Sequence, residues 1–255
     1  MDGDYRRAHA QLEAALQALP ATLPERPKAI LMISAHWEEA AFTVMTSPAP
    51  GMLYDYGGFP AHTYQVVYPA PGDPALAERV VALIEAAGLP AARNATRGFD
   101  HGAFCTLAPM YPQADVPVVQ LSLKQGLDPA EHLALGRALA PLRDEGVLIL
   151  GSGFSFHNLR LYGAQGREPS AAFDAWLQAA LPSPDGRAER LQAWAQAPAA
   201  RLAHPREEHL LPLMVAAGAA PAEAGQCSYH ETAFLGGVTA SSFRFGDLPG
   251  HLPGG

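Results

Sequence analysis

Cysteine is scarce in this sequence, with only Cys105 and Cys227 among 255 residues and no CxxC spacing. A disulfide framework or a structural zinc site built on cysteine is therefore not expected, and a reducing cytoplasm is the natural compartment. Basic residues are also few, since 17 Lys and Arg stand against 25 Asp and Glu, for a formal net charge of −8. Such a chain offers no positive field for phosphate backbones, which argues against nucleic acid as a partner.

Long apolar runs are missing as well. The longest, such as residues 29–35 and 146–150, are far shorter than the roughly 20 residues that a membrane-spanning helix needs. We therefore expect neither a membrane span nor a signal peptide.

The apolar residues that are present, 49% of the chain, are arranged in alternating strand-like and helix-like segments. This alternation predicts an α/β fold with a central mixed, largely parallel sheet flanked by helices on both faces. No low-complexity linker divides the chain, so we expect one domain over residues 1–255. Predicted strands are 29–34, 38–46, 116–121, 147–150 and an edge strand at 241–245. Predicted helices are 5–19, 74–87, 129–144, 171–181, 187–195 and 205–217, and predicted irregular segments are the loop 48–60 and the tail 248–255.

Histidine is the unusual entry in the composition, with ten residues. His36 follows the predicted strand 29–34, His157 follows the predicted strand 147–150, and His101 lies in a Gly-Phe-Asp-His-Gly turn. Because α/β proteins gather their chemistry at the carboxyl ends of strands, these three imidazoles are expected to share a pocket. Imidazole is the commonest metal ligand in proteins. For any single histidine, however, a structural or surface role is the commoner alternative.

His204 and His209 bracket the start of the predicted helix 205–217, with His204 as its cap. Five residues correspond to about 500° of helical rotation, so the two side chains should not share a helix face. At most one of them is then expected to be a direct metal ligand, and His209 is favoured. Glu207 and Glu208 are interpreted as carboxylates in the first helical turn, stabilised by the helix dipole.

Two other chemistries have weak signals. The segment Gly151-Ser152-Gly153 lacks the lysine and the glycine spacing of a phosphate-binding loop. No GxSxG nucleophile elbow occurs, which argues against a serine hydrolase. Tyr54, Tyr56 and Phe59 in the loop 48–60 are read either as loop anchors, the commoner case, or as a wall of the pocket.

Five ordered motifs cover nearly the whole chain. They are Ser34-Ala35-His36-Trp37, Tyr68-Pro69-Ala70-Pro71-Gly72, Gly98-Phe99-Asp100-His101-Gly102, Gly151-Ser152-Gly153 with His157-Asn158-Leu159-Arg160, and the segment from His204 to Leu213. In this order they resemble the class III extradiol ring-cleavage dioxygenases of the LigB type, in particular the DOPA-dioxygenase-like branch.

The resemblance implies a non-haem Fe(II) site, in which zinc often takes the place of iron in purified members. It implies His36 and His209 as metal ligands and His157 as the acid/base. His101 is implied as a further catalytic residue that contacts the substrate or supports the ligands. The expected substrates are a small aromatic diol and O2, and a homo-oligomer is one state to test. The residues expected to bind the substrate are Tyr56, Phe59, Arg160 and His204.

One departure from the family pattern concerns the start of the sequence. Members of this family usually begin with an apolar strand that ends in a His-Gly segment, and that histidine is a third metal ligand. This sequence starts at Met1-Asp2-Gly3-Asp4, directly at the predicted helix 5–19. The resemblance therefore leads us to expect that the strand and its ligand are missing through N-terminal truncation, and His9, on that helix, is a poor replacement.

Two alternatives stay open at this point. A zinc-dependent hydrolase could use the same histidines to activate water. A catalytically inactive relative could use the pocket for binding alone.

Overall fold

The computed structural model describes residues 7–246, and its centre is a five-stranded sheet in the order β3-β2-β4-β1-β5. Strand β1 pairs in parallel with both β4 and β5, β2 pairs in parallel with β3, and β2 is antiparallel to β4. The predicted mixed, largely parallel sheet is thus confirmed. The strands are β1 (Ala29–Glu39), β2 (Phe42–Met45), β3 (Ala91–Asn94), β4 (Val118–Lys124) and β5 (Val147–Ser152).

Both faces of this sheet are covered, which explains why its central strands are nearly continuous apolar runs. Leu31 and Ile33 of β1 belong to one buried cluster, whereas Ile30 and Met32 belong to a second cluster on the opposite face.

The helices are α1 (Ala10–Ala18), α2 (Pro74–Ala86), α3 (His101–Met110), α4 (Pro129–Leu139), α5 (Pro141–Asp144), α6 (Arg167–Ala180), α7 (Arg187–Gln192), α8 (Ala200–Ala203) and α9 (Leu211–Gly218). None of the helices within residues 7–246 is long and apolar enough to cross a bilayer.

A separate antiparallel hairpin is formed by β6 (Gly225–Phe234) and β7 (Val238–Phe245). The predicted strand 241–245 is the second half of β7. Strand β6 was not predicted, because its sequence GQCSYHETAF mixes polar and apolar residues without a clear period of two.

Several predicted boundaries are wrong for identifiable reasons. The predicted helix 129–144 is interrupted between α4 and α5 at Pro141, whose ring cannot continue a helical hydrogen-bond ladder. The predicted helix 205–217 begins only at Leu211, and residues 204–210 form bends and turns. Of the first predicted helix, 5–19, the structure contains the helix Ala10–Ala18, whereas residues 5–6 and the tail 248–255 lie outside the described residues.

Candidate active site

His36 lies inside β1, not beyond its carboxyl end as predicted, at an irregularity that turns it out of the sheet. The β1–β4 pairing passes from Ile33 opposite Leu121 to Glu38 opposite Leu123, so residues 34–37 of β1 face the single residue Ser122. At this irregularity the backbone of His36 forms hydrogen bonds with side chains. Its N–H donates to Ser34 Oγ at 3.2 Å, and its carbonyl accepts from Arg97 at 3.3 Å. A β-bulge of this kind commonly re-aims a side chain at an active site.

The buried carboxylate of Asp100 holds this bulge together. Asp100 is fully buried and accepts hydrogen bonds from Ser34 Oγ at 2.8 Å, Arg97 at 2.9 Å and Gln120. The Arg97 guanidinium also lies 4.4 Å from the centre of the Trp37 ring. The buried charge is thus paired and hydrogen-bonded, as a stable interior requires.

His101 is the first residue of α3, and the predicted turn is in fact a helix start. Asp100 is the N-cap, with its side chain accepting from the Ala103 N–H at 3.1 Å. A Cβ at Gly102 would lie 2.8 Å from Cδ2 of His36. Glycine at this position therefore lets the His36 and His101 rings approach to 3.9 Å between centroids.

His157 and His209 are brought together by glycines in the exit from β5. A Cβ at Gly153 would lie 2.3 Å from the His209 carbonyl oxygen, and one at Gly151 would lie 2.6 Å from that of Pro212. These glycines thus allow close backbone packing. The His157 N–H donates to the Ala203 carbonyl at 2.9 Å, and the His157 and His209 rings stack at 3.3 Å.

The four imidazoles form one cluster, because His209 also contacts His36 at 4.9 Å between ring centroids. Burial lowers the pKa of His36, and the neighbouring His101 lowers it further. Burial also strongly lowers the pKa of His209, with His157 and His36 as further causes. Both rings are therefore neutral at neutral pH and keep a nitrogen lone pair available, which is the state that binds a metal ion.

Two carboxylates that the sequence did not single out for the site join this cluster. Asp55 Oδ1 lies 2.8 Å from His101 Nδ1, and Glu208 Oε1 lies 3.3 Å from His157 Nδ1. Burial raises the pKa of each carboxyl group, but contacts with the partner histidine outweigh it and leave both pKa values lowered; for Glu208, its own backbone N–H and Arg206 lower the pKa as well. The interpretation of Glu208 as a residue of a first helical turn is wrong, because the helix that follows it, α9, begins only at Leu211.

Potential metal ligands occur in two groups among residues 7–246. One comprises His36, Asp55 and His101, and the other comprises His157, Glu208 and His209. Within each group the ligand atoms lie within 4.8 Å of one another. The donor set of imidazoles and carboxylates suits a divalent transition metal such as iron or zinc.

The other predicted site residues are distributed differently. The ring of Tyr56 meets the rings of His101 and Phe59 edge-on, each at 5.5 Å between centroids. Tyr56 and Phe59 thus lie beside the cluster, in the segment 54–64, which we call the aromatic loop. Arg160 is exposed on the 3-10 helix Leu159–Leu161, three residues after His157.

His204 is fully buried behind the cluster, outside the residues that line the cavity. Its Nε2 donates to the Ser155 carbonyl at 3.0 Å, and its ring packs on Phe173 at 5.2 Å. Burial lowers its pKa to about 4. This position does not favour direct contact with a substrate, and it differs from the predicted cap because His204 follows α8 and does not begin a helix.

A cavity of about 1340 Å³ opens beside the cluster. His36, His101 and His209 line one end, and the whole of β5 lines its length. Within the described residues β5 pairs only with β1, so it is an edge strand of the sheet. Much of the remaining lining comes from α1 and β7.

Comparison with known proteins identifies the class. A family model described as the catalytic LigB subunit of aromatic ring-opening dioxygenase matches residues 4–246. The 4,5-DOPA dioxygenase extradiol of Beta vulgaris is 44% identical over 227 residues, 87% of this chain and 84% of that protein. That of Escherichia coli (strain K12) is 41% identical over 209 residues, 80% and 76% of the two chains. A crystal structure of an uncharacterized protein from Escherichia coli K12 superposes with a TM-score of 0.75 at 34% identity, covering 91% of each chain.

The chain belongs to the LigB family of aromatic ring-opening dioxygenases, the class III extradiol enzymes. Within that family it is a 4,5-DOPA dioxygenase-like extradiol enzyme. The resemblance drawn from the five sequence motifs is confirmed.

Proposed function

We propose that this enzyme opens the ring of a catechol-type diol with O2 in an iron(II)-dependent reaction, with His36 and His209 binding the ion. The observation that carries the proposal is the contact between these two rings, 4.9 Å between centroids, in a place where both pKa values are lowered. Two neutral imidazoles from distant parts of the chain thereby present lone pairs beside one cavity. When bound, a ferrous ion supplies the electron-transfer path that lets ground-state dioxygen react with an aromatic diol.

His157 is proposed as the acid/base. Its Nδ1 faces Glu208 at 3.3 Å, so a proton on Nδ1 leaves the Nε2 lone pair free to accept a proton from a diol hydroxyl. The adjacent carboxylate also stabilises the imidazolium that results. The same ring can then return the proton as the ring opens. His101, which contacts His36, is proposed to contact the substrate from the other side of the cluster.

The aromatic loop is proposed to bind the substrate ring. Tyr56 lies between His101 and Phe59, and Tyr64 packs on it at 5.2 Å. The contacts of Tyr56 with His101 and Phe59 are edge-to-face, a geometry that aromatic pairs prefer. Arg160 is proposed to reach an acidic group of the substrate, as its exposed guanidinium can bind a carboxylate. The names of the relatives make DOPA the first compound to test.

Oxygen consumption tests the function. The iron(II)-loaded protein should take up one O2 per catechol consumed, with both atoms of labelled O2 recovered in a ring-opened product. DOPA is the first substrate and tyrosine, which lacks the second hydroxyl group, is the matched control. Hydrolysis of an ester or amide by the zinc-loaded protein without oxygen uptake would contradict the proposal.

His157→Ala tests the acid/base role. We expect a fall in kcat of about 10²- to 10⁴-fold, the range that general acid–base catalysis contributes, with the metal content retained. Metal analysis and oxygen uptake are measured on the same sample. Unchanged turnover in a metal-loaded variant would overturn this assignment.

A further inference from the structure

We propose that Asp55 is a positioning residue that orients two imidazoles at once, with one carboxylate oxygen on His101 and the other on His36. This inference rests on the proposed function, in which His36 binds the metal ion and His101 contacts the substrate. One side chain from the aromatic loop would then fix the geometry of the ion and of the substrate together.

The contacts of Asp55 define the role. Oδ1 accepts from the His101 backbone N–H at 2.9 Å and lies 2.8 Å from His101 Nδ1. Oδ2 lies 3.6 Å from His36 Nδ1, just outside hydrogen-bond range. An ionised carboxylate can only accept hydrogen bonds, so His101 carries its proton on Nδ1 and its lone pair on Nε2. The same carboxylate faces His36 Nδ1, so its negative charge favours a proton on that nitrogen.

The loop that carries Asp55 is attached to the residues before α3. Met52 forms a parallel bridge with Phe99, flanked by the hydrogen bonds Phe99 N–H to Gly51 O and Leu53 N–H to Phe99 O, both 2.8 Å long. A Cβ at Gly98 would lie 2.6 Å from the Gly51 carbonyl oxygen, so only glycine allows this approach. Asp55 is thereby placed at the N-terminus of α3, where the helix dipole stabilises its negative charge.

A competing role is that Asp55 binds the metal ion itself, since its oxygens lie within 4.8 Å of ligand atoms of His36 and His101. The structure argues against this role for Oδ1, which is already engaged by two N–H groups of His101. Histidine ligands commonly donate their second N–H to a carboxylate, and this contact orients the ring and raises its basicity. At His36 the carboxylate oxygen Oδ2 faces Nδ1 at 3.6 Å, an ion-pair distance that orients the ring without a direct hydrogen bond.

The first test reads the tautomer of His101 directly. Nitrogen NMR of histidine-labelled, metal-free protein should show His101 protonated at Nδ1, with the signal assigned by comparison with His101→Gln. In Asp55→Asn the amide can donate to Nδ1, so the proton should move to Nε2. Asp55→Glu, which keeps the charge, should restore the original tautomer. An unchanged tautomer in Asp55→Asn would overturn the inference.

The second test uses zinc alone as the probe. Loss of an outer carboxylate partner typically costs about 10- to 100-fold in metal affinity, and we expect a weakening of this size in Asp55→Asn with unchanged stoichiometry at saturation. Asp115→Asn, which removes an exposed ion pair with Arg26, is the matched control and should leave the affinity unchanged. Asp55→Glu, which keeps the negative charge, should bind zinc with most of the parent affinity. If Asp55→Asn does not fold, the zinc affinity of Asp55→Glu is the quantity that tests the inference.

Two results would contradict the positioning role. One is a zinc affinity of Asp55→Asn within twofold of the parent protein. The other is loss of an oxygen ligand in zinc X-ray absorption spectra, which would make Asp55 a ligand. Both tests are made without turnover, so absent oxygen uptake with catechols would count against the proposed function alone.

Discussion

The two sides of the histidine cluster are built in different ways. His36 and His101 lie on regular elements, a bulged strand and a helix start, and both are tied to the fully buried Asp100 through Ser34, Arg97 and the cap of α3. His157 and His209 lie on irregular segments after β5 and before α9, held by backbone contacts at Gly151 and Gly153.

The second side also carries an ion pair between segments. Arg206 donates to both carboxylate oxygens of Glu38 at 2.5 Å, joining the segment before α9 to the end of β1. Because Arg206 is 55% exposed, this pair contributes little to stability compared with the buried network of Asp100. The strand side, His36 and His101, is thus held by a buried hydrogen-bond network, whereas the loop side, His157 and His209, depends on close backbone packing. Each side nevertheless pairs its imidazoles with one carboxylate, Asp55 or Glu208.

Of the effects that compare the two sides, the largest separates the roles of the two carboxylates. Glu208→Gln should lower kcat by about 10- to 100-fold, because His157 loses the partner that orients it and stabilises its charged form. Zinc affinity should change less than in Asp55→Asn, since the stacked His209 keeps its own contacts. Steady-state oxygen uptake and zinc titration measure the two quantities. Equal losses of zinc affinity in both variants would show that the carboxylates do not divide the work in this way.

A smaller effect tests the dependence of the loop side on packing. Gly153→Ala places a methyl group 2.3 Å from the His209 carbonyl oxygen, so the backbone must shift. We expect a loss of about 1–3 kcal/mol in the free energy of unfolding, measured by urea denaturation. Gly57→Ala in the aromatic loop, where a Cβ meets nothing within 4 Å, is the control. If both variants are equally stable, close packing is not what holds His209.

The smallest expected effect is a pH dependence from the loop side. The folded pKa of His209 is lowered, so below about pH 6.5 the unfolded chain takes up a proton that the folded protein does not. The free energy of unfolding of the metal-free protein should therefore fall as the pH falls. Between pH 6.5 and 5.5 the parent protein should lose about 1 kcal/mol more than His209→Gln.

Urea denaturation at each pH measures this difference. Parallel stability profiles for the two proteins would mean that His209 is as easily protonated in the folded state as in the unfolded state. His62→Gln, on an exposed position of the 3-10 helix Ala61–Gln65, serves as the control variant.

The sheet could be predicted because its signals are local. Runs such as residues 29–34 and 116–121 are apolar because strands covered on both faces must be, and the helix at 74–87 is marked by its period and by Gly88, which has φ +72°. The segment 204–210 could not be predicted in the same way. Its proline and acidic residues resemble a helix start, but contacts with Gly153 and Glu38 hold it in turns.

The candidate site, like the fold, was partly predictable from the sequence and partly not. The sequence by itself singled out His36, His101, His157 and His209, whose rings contact one another in the fold, and, through five ordered motifs, the family to which the chain belongs. Only the tertiary structure decided that Asp55 and Glu208 join them and that His204 is buried behind the cluster. The physical reason is that a hydrogen bond between a loop carboxylate and a distant imidazole leaves no periodic pattern in the sequence, whereas burial of a strand does.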